Sequence, residues 1–276
     1  MLPRIPQPES YHSFAADHRT WLGIPHAPNV LSNAAIAVAG LAGLAALWQG
    51  RGGSRARSSQ HSAAGQGKDG LNGASHRLGG SPGQAGLWWA TFASMVLAAT
   101  GSAYYHWAPS TGRLAADRLG MALTFAWLAA ATSVDRRGPP KGLLGWVLAA
   151  AALAAIPAIV LYWQASEAAG QGDLRWYGLA QGLSAAWVGY VAAFYKPHSP
   201  QSTTTAGGLL ATLGTYAAAI AGDRLDRPVY YLTLTLTSGH VLKHVLAGVA
   251  GLQLVRMLRR TTPGKAWDVS RLAREE

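Results

Sequence analysis

The sequence of 276 residues contains no cysteine. This absence excludes disulfide bonds, thiolate metal sites, cysteine nucleophiles and iron–sulfur clusters. Charge is also scarce, because only 13% of the residues are Asp, Glu, Lys or Arg, whereas soluble domains carry about 25%. Acidic residues are fewer than basic ones: the sequence has 12 Asp and Glu against 23 Lys and Arg, which gives a net charge of +11. Nucleic-acid-binding proteins of this basicity are normally rich in charge, so no nucleic-acid partner is predicted.

The mean hydropathy of +0.11 is modest, but the apolar residues are concentrated in seven segments. Most have the ~20 residues that cross a bilayer, and several are rich in Ala and Gly, which suits close helix packing in lipid. We therefore predict an all-α, polytopic membrane protein in contact with the lipid bilayer. Its seven transmembrane helices are predicted at Asn29–Trp48, Leu87–Trp107, Asp117–Val134, Leu143–Trp163, Trp176–Tyr195, Gly207–Gly222 and Tyr230–Met257.

These segments divide the chain into three parts. Residues 1–28 are predicted to be an N-terminal extramembrane segment, since they lack the basic start and apolar core of a cleavable signal. Residues 29–257 form the membrane domain, and residues 258–276 form a basic cytoplasmic tail. Residues 49–86 are rich in Gly and Ser without apolar periodicity, which predicts a disordered cytoplasmic loop.

The basic residues predict the orientation of the helices. With the N-terminus outside, 15 of the 23 Lys and Arg fall on the cytoplasmic side and only six fall outside. The outside six are Arg4, Arg19, Arg113, Arg175, Arg224 and Arg227, and the two within helices are Arg118 and Lys243. The positive-inside rule then predicts an outside N-terminus and a cytoplasmic C-terminus.

Five polar side chains fall at one depth in the predicted helices. Ser102 and His106 are four residues apart and share a helix face, as do His240 and His244, while Asp117 opens the third helix. At about 1.5 Å per residue, all five lie roughly 18–28 Å above the cytoplasmic helix ends. Polar groups at membrane depth are costly and mark functional sites, so we predict a three-histidine site with a carboxylate and a hydroxyl beside it.

This residue set is typical of metal-assisted hydrolysis. Three neutral imidazoles with one open position are a catalytic zinc arrangement, in which the pKa of a bound water falls to about 7. We therefore expect His106, His240 and His244 to bind Zn²⁺. Asp117 can accept the proton of the water, and Ser102 can donate a hydrogen bond to the oxyanion that forms.

Simpler roles stay open for these residues. Each histidine alone can be a packing residue, Ser102 can bond back to a helix carbonyl, and Asp117 can be a helix N-cap. Arg118 is expected to pair with Asp117 or with a lipid headgroup, and Lys243 is expected to have an interior partner such as an Asp. The remaining acids near the last helix, Asp223 and Asp226, are expected to form a solvated turn with Arg224 and Arg227.

In order along the chain, Ser102-x-x-x-His106, Asp117 and His240-x-x-x-His244 resemble the alkaline ceramidase family. The segment Asn29–Asn33 also resembles the family's first-helix motif, and the resemblance spans about Tyr11 to Met257. The superfamily comprises seven-helix membrane hydrolases and includes the adiponectin and progestin receptors. The resemblance implies zinc bound by the three histidines, with Asp117 and Ser102 at the reacting carbonyl. It implies hydrolysis of the linear amide of a ceramide-like membrane lipid to a long-chain base and a fatty acid.

The chain differs from the eukaryotic members of the family in two features, and in both it is more similar to the bacterial branch. This similarity implies a bacterial inner membrane as the location. Eukaryotic members bind calcium through an acidic N-terminal segment, whereas residues 11–29 contain only Asp17 as an acid, so the family's calcium site is not carried over to this chain. Eukaryotic members also often have Trp before the second histidine of the last helix, where this chain has Lys243. The resemblance identifies no protein partner.

Two other functions are compatible with the sequence. The first is a seven-helix receptor or sensor, in which the zinc site is structural and there is little or no turnover. The second is a b-type haem protein, because histidines on separate helices can hold haem iron, although two histidines on one helix face cannot sandwich one haem.

Overall fold

A computed structural model describes residues 3–16, 19–63, 82–199, 202 and 204–260. Those residues form a short 3-10 helix, Glu9–His12, and nine α-helices, with no strand among them. The α-helices are α1 (Ala27–Ser32), α2 (Ala34–Ala63), α3 (Pro82–Trp107), α4 (Thr111–Arg137), α5 (Gly142–Ala168), α6 (Arg175–Phe194), α7 (Ala206–Arg224), α8 (Asp226–Leu232) and α9 (Gly239–Arg260). The predicted all-α fold is confirmed.

Four helical stretches are long and apolar enough to cross a membrane, which is consistent with a membrane protein. They are Ala27–Gly50, Thr111–Arg137, Gly142–Ala168 and Gly239–Arg259. The other three predicted segments are also helical, as α3, α6 and α7, but they are not among these four stretches. The exposed surface of α5 is rich in large apolar side chains, such as Leu143 and Trp146, and such patches are typical of surfaces that lipid or another protein covers.

Six helices contact one another in a closed ring. Around it, α2 packs on α3, α3 on α4, α4 on α6, α6 on α7, α7 on α9, and α9 returns to α2. The remaining long helix, α5, packs on the outside of α4 and α6. The ring therefore encloses the faces of α3, α4 and α9 that carry the predicted site residues.

Two glycines bring the helices that carry the site into close contact. A Cβ atom on Gly101 of α3 would lie 2.5 Å from a backbone carbonyl oxygen of α4, and one on Gly239 of α9 would overlap a carbonyl oxygen of α7. Only glycine permits these approaches. They bring the next residue of each helix, Ser102 and His240, against the neighbouring helix.

The predicted helix Tyr230–Met257 is wrong in its N-terminal third, because a turn at residues 233–238 separates α8 from α9. The Thr233 hydroxyl donates to backbone carbonyls on both sides of it, and such local bonds compete with helix formation. Ser238 then accepts a hydrogen bond from the N–H of Val241 at 3.2 Å, as a helix N-cap does. The last long helix therefore begins just before His240.

The predicted loop at residues 49–86 is too long at both ends. The helix α2 continues to Ala63, and α3 begins at Pro82. Proline suits the first helical position, because the N–H that it lacks would have no partner there. Residues 64–81 of the predicted loop and residues 261–276 of the predicted tail lie outside the described residues.

Candidate metal centre

Three histidines from two helices meet in the interior of the ring. His106 lies near the end of α3, and His240 and His244 lie in the first two turns of α9. All three are buried, and one ring nitrogen from each lies within 4.8 Å of the others. The Nε2 atoms of His106 and His240 are 2.9 Å apart. The predicted grouping of these histidines is confirmed.

The spacing of the nitrogens is close to that of one shared metal ion. In a tetrahedral site with metal–nitrogen bonds of 2.0–2.1 Å, two ligand nitrogens are about 3.3 Å apart. Small side-chain rotations would bring the present separations to this value. The direct contact between His106 and His240 leaves no space for a porphyrin between their rings, which disfavours the haem alternative for this pair.

The ring nitrogen of His240 that points away from the other two histidines faces a carboxylate. Its Nδ1 atom is 2.5 Å from Oδ1 of Asp223 on α7, and because a carboxylate only accepts hydrogen bonds, the imidazole N–H donates. The Nε2 atom of the neutral ring is then unprotonated and faces the other histidines. A carboxylate behind a metal-binding histidine selects this tautomer and raises the basicity of the ligand nitrogen.

His244 is oriented by a hydroxyl group of α1. Its Nδ1 atom is 2.7 Å from Oγ of Ser32, and this hydroxyl donates to the carbonyl oxygen of Asn29 at 3.2 Å. Ser32 therefore accepts from Nδ1–H of His244, and the Nε2 atom of His244 is left unprotonated. Both histidines of α9 thus direct an unprotonated nitrogen toward the group, and that of His240 accepts from Nε2–H of His106.

Asp117 and Ser102 lie directly beside the histidines. The Oγ atom of Ser102 is 3.5 Å from Nε2 of His244, and Asp117 lines the same cavity as Ser102 and His244. Both side chains are buried. Ser110 caps α4 by accepting from the N–H of Arg113, so the alternative of Asp117 as the N-cap is wrong.

An apolar cavity of about 90 Å³, open on one side, begins at this group. Four polar residues line the end at the histidines: Ser102, Asp117, Lys243 and His244. Along α9 the lining continues to Leu254, about 16 Å away at 1.5 Å per residue. This shape fits a single alkyl chain whose polar end lies at the histidines.

Sequence reasoning missed the roles of two acids. Asp223 and Asp226 do not form a solvated turn, because Asp223 holds His240 and Asp226 accepts from the backbone N–H of His240 at 2.8 Å. The available signal was depth, since Asp223 directly follows the sixth predicted helix, Gly207–Gly222, at the end where the histidines occur. The expected acidic partner of Lys243 is confirmed, with its Nζ atom 3.3 Å from Oδ1 of Asp223.

Arg118 lies against aromatic rings and not against Asp117. Its guanidinium carbon is 3.8 Å from the ring centroid of Trp163 and 4.9 Å from that of Tyr177, and it donates to the side chain of Gln7. No salt bridge joins Arg118 to Asp117 in the part of the chain that the structure describes. Successive helix residues point in different directions, so the expected Asp117 pair is wrong, and cation–π contacts take its place.

The N-terminal segment covers one side of the histidines. The ring of Phe14 is centred 3.9 Å from that of His240 and 5.0 Å from that of His106. The N–H of Ala15 donates to Oδ2 of Asp226 at 2.7 Å.

The same segment contains a fourth histidine, His12. Burial and the nearby charge of Arg118 lower the pKa of His12, so its imidazole is neutral near pH 7.

Compared with models of protein families, with curated proteins and with solved structures, the chain matches none. The chemistry of the centre therefore follows from its own donor atoms. Three imidazole nitrogens suit several metal ions, among them zinc, copper, iron and nickel. The buried group formed by His106, His240 and His244 is a candidate metal site whose ligands do not by themselves select the ion.

Replacing Asp223 by Asn should weaken metal binding about 10–100-fold, the usual effect of losing a partner behind a ligand. The change keeps all three ligands but removes the carboxylate that orients His240. Competition with a chromophoric chelator would measure the affinity. Asp173→Asn is the matched control, because that carboxylate pairs with Arg175 outside the cavity. Equal affinities for both variants and the parent would contradict a role for Asp223.

Proposed function

We propose that the protein is a zinc-dependent intramembrane hydrolase that cleaves the amide bond of ceramide-like N-acyl lipids. The products would be a long-chain base and a fatty acid. One observation carries the proposal: three buried histidines, with Asp117 and Ser102 beside them, lie at one end of an apolar cavity. A hydrolytic residue set at the end of a space for an alkyl chain favours a lipid substrate over a water-soluble one. The resemblance to the alkaline ceramidase family supports the same reaction.

The proposal includes seven membrane-spanning helices, with the N-terminus outside and the C-terminus in the cytoplasm. The spans are the continuous stretch of α1 and α2 together with α3, α4, α5, α6, α7 and α9. The excess of basic residues on the cytoplasmic side supports this orientation. The metal centre then lies in the outer half of the membrane, which in a bacterial cell is the inner membrane.

Each residue of the site has a separate task in amide hydrolysis. A zinc ion held by three imidazoles would polarise the carbonyl and make water nucleophilic near neutral pH. Asp117 accepts the proton of the attacking water and returns it to the leaving nitrogen. Ser102 donates a hydrogen bond to the amide oxygen as this atom becomes negatively charged. The apolar cavity holds the acyl chain and positions the amide.

A panel of labelled N-acyl lipids tests the proposal. Purified protein in lipid nanodiscs should release fatty acid from at least one member of the panel. A chelator should abolish the release, and added Zn²⁺ should restore it. Zinc-loaded protein that cleaves no N-acyl lipid would refute the proposed hydrolase and favour a receptor or sensor.

A further inference from the structure

Lys243 introduces a positive charge into the lining of the apolar cavity. It is the only Lys or Arg among the described residues that line this cavity. Its Nζ atom lies 3.5 Å from Nδ1 of His240, so one imidazole ring separates the ammonium from the ligand nitrogen of His240. A group bound at Nζ would therefore lie within a few bonds of an amide held at the metal centre.

The ammonium group has unused hydrogen-bond capacity. It carries three N–H donors, and the contacts that the structure describes for Nζ are with Asp223 and His240. Since Nδ1 of His240 itself donates to Asp223, it cannot also accept from Lys243. Asp223 Oδ1 is thus the acceptor, and it is shared between His240 at 2.5 Å and Lys243 at 3.3 Å. Further donors of a charged group in apolar surroundings favour a further acceptor.

The carboxylates near the centre have other partners besides Lys243. Asp223 is shared with His240, and Asp226 accepts from the backbone N–H groups of Ala15 and His240. An ammonium group that shares its carboxylate, in a site of low dielectric constant, attracts a further anion.

We infer that Lys243 is a specificity-determining residue that binds an anionic group of the substrate close to the amide nitrogen. The inference rests on the proposed function and narrows its substrate to acidic N-acyl lipids, which carry a carboxylate, a sulfonate or a phosphate. An N-acyl amino acid is the simplest probe for this class, because it places a carboxylate beside the amide without the long chain of the base. In this substrate the amide is held at the histidines, the acyl chain fills the cavity, and the anion contacts Nζ.

The first experiment measures binding without metal or turnover. Chelator-treated protein in nanodiscs is titrated with dodecanoate and with dodecanol, and binding is followed by tryptophan fluorescence. The parent should prefer the carboxylate about 10- to 100-fold, as expected for a hydrogen bond to a charged group. Lys243→Met should remove the preference, and Lys243→Arg should retain most of it. Arg256→Met, which removes an exposed charge from the far end of α9, should leave it unchanged.

The second experiment compares matched substrates. N-dodecanoylglycine and neutral N-dodecanoylethanolamine differ in the charge beside the amide, and sulfonate and phosphate analogues identify the preferred anion. We expect Lys243→Met to reduce the preference for the acidic substrate at least about tenfold, mainly through KM, while zinc content stays at the parental level. Equal binding of dodecanoate and dodecanol by the parent would overturn the inference. Failure to cleave any lipid would instead refute the proposed hydrolase, and the binding experiment would still decide the role of Lys243.

Discussion

Replacing His240 by Ala should remove the bound metal and abolish hydrolysis of every N-acyl lipid. The substitution deletes one of three ligands and leaves the carboxylate of Asp223 without its imidazole partner. Two histidines would remain, which is fewer protein ligands than a catalytic zinc site uses. Mass spectrometry of purified protein should therefore find about one zinc ion per chain in the parent and almost none in the variant.

An exposed histidine provides the matched control for this experiment. His198 follows α6 at the end of the protein opposite the centre, and His198→Ala should retain both zinc and turnover. A His240→Ala variant with parental metal content would show that the ion binds elsewhere. Circular dichroism of both variants would separate loss of the ligand from loss of the helical fold.

Replacing Asp117 by Asn should lower kcat by about 10²–10⁴-fold, the usual contribution of a general base. The amide of Asn cannot accept the proton of the attacking water, but it is nearly isosteric with the carboxylate. Asp117 is not among the three ligand residues, so zinc content should stay at the parental level. Kinetics on the best substrate of the lipid panel, together with metal analysis of the same sample, measure both effects.

The control for Asp117 removes a carboxylate that lies outside the cavity. Asp173→Asn breaks an ion pair with Arg175 in the connection between α5 and α6, and it should leave kcat unchanged. An Asp117→Asn variant as active as the parent would exclude Asp117 as the base. Retained zinc with strongly reduced turnover is the pattern that separates a catalytic role from a ligand role.

The grouping of the three histidines could be predicted because it depends on local geometry. Residues four apart share a helix face, and the rise of 1.5 Å per residue converts sequence position into depth. His106 near the end of α3 and His240 near the start of α9 therefore had to lie at similar levels. The turn at residues 233–238 escaped prediction, since its apolar Leu residues continue the hydrophobic pattern while the hydroxyl of Thr233 bonds to the backbone.

The sequence by itself determined the all-α class, the positions of the long helices and the depth of the polar residues, because each follows from periodicity and length. Only the tertiary structure decided which neighbours those residues have. Depth is measured along one helix, whereas a partner depends on how two helices are rotated about their axes and how closely they approach. The contact of Gly239 with α7 brings Asp223 to His240, and the rings of Trp163 and Tyr177 receive Arg118. Both outcomes are set by packing between residues far apart in the chain.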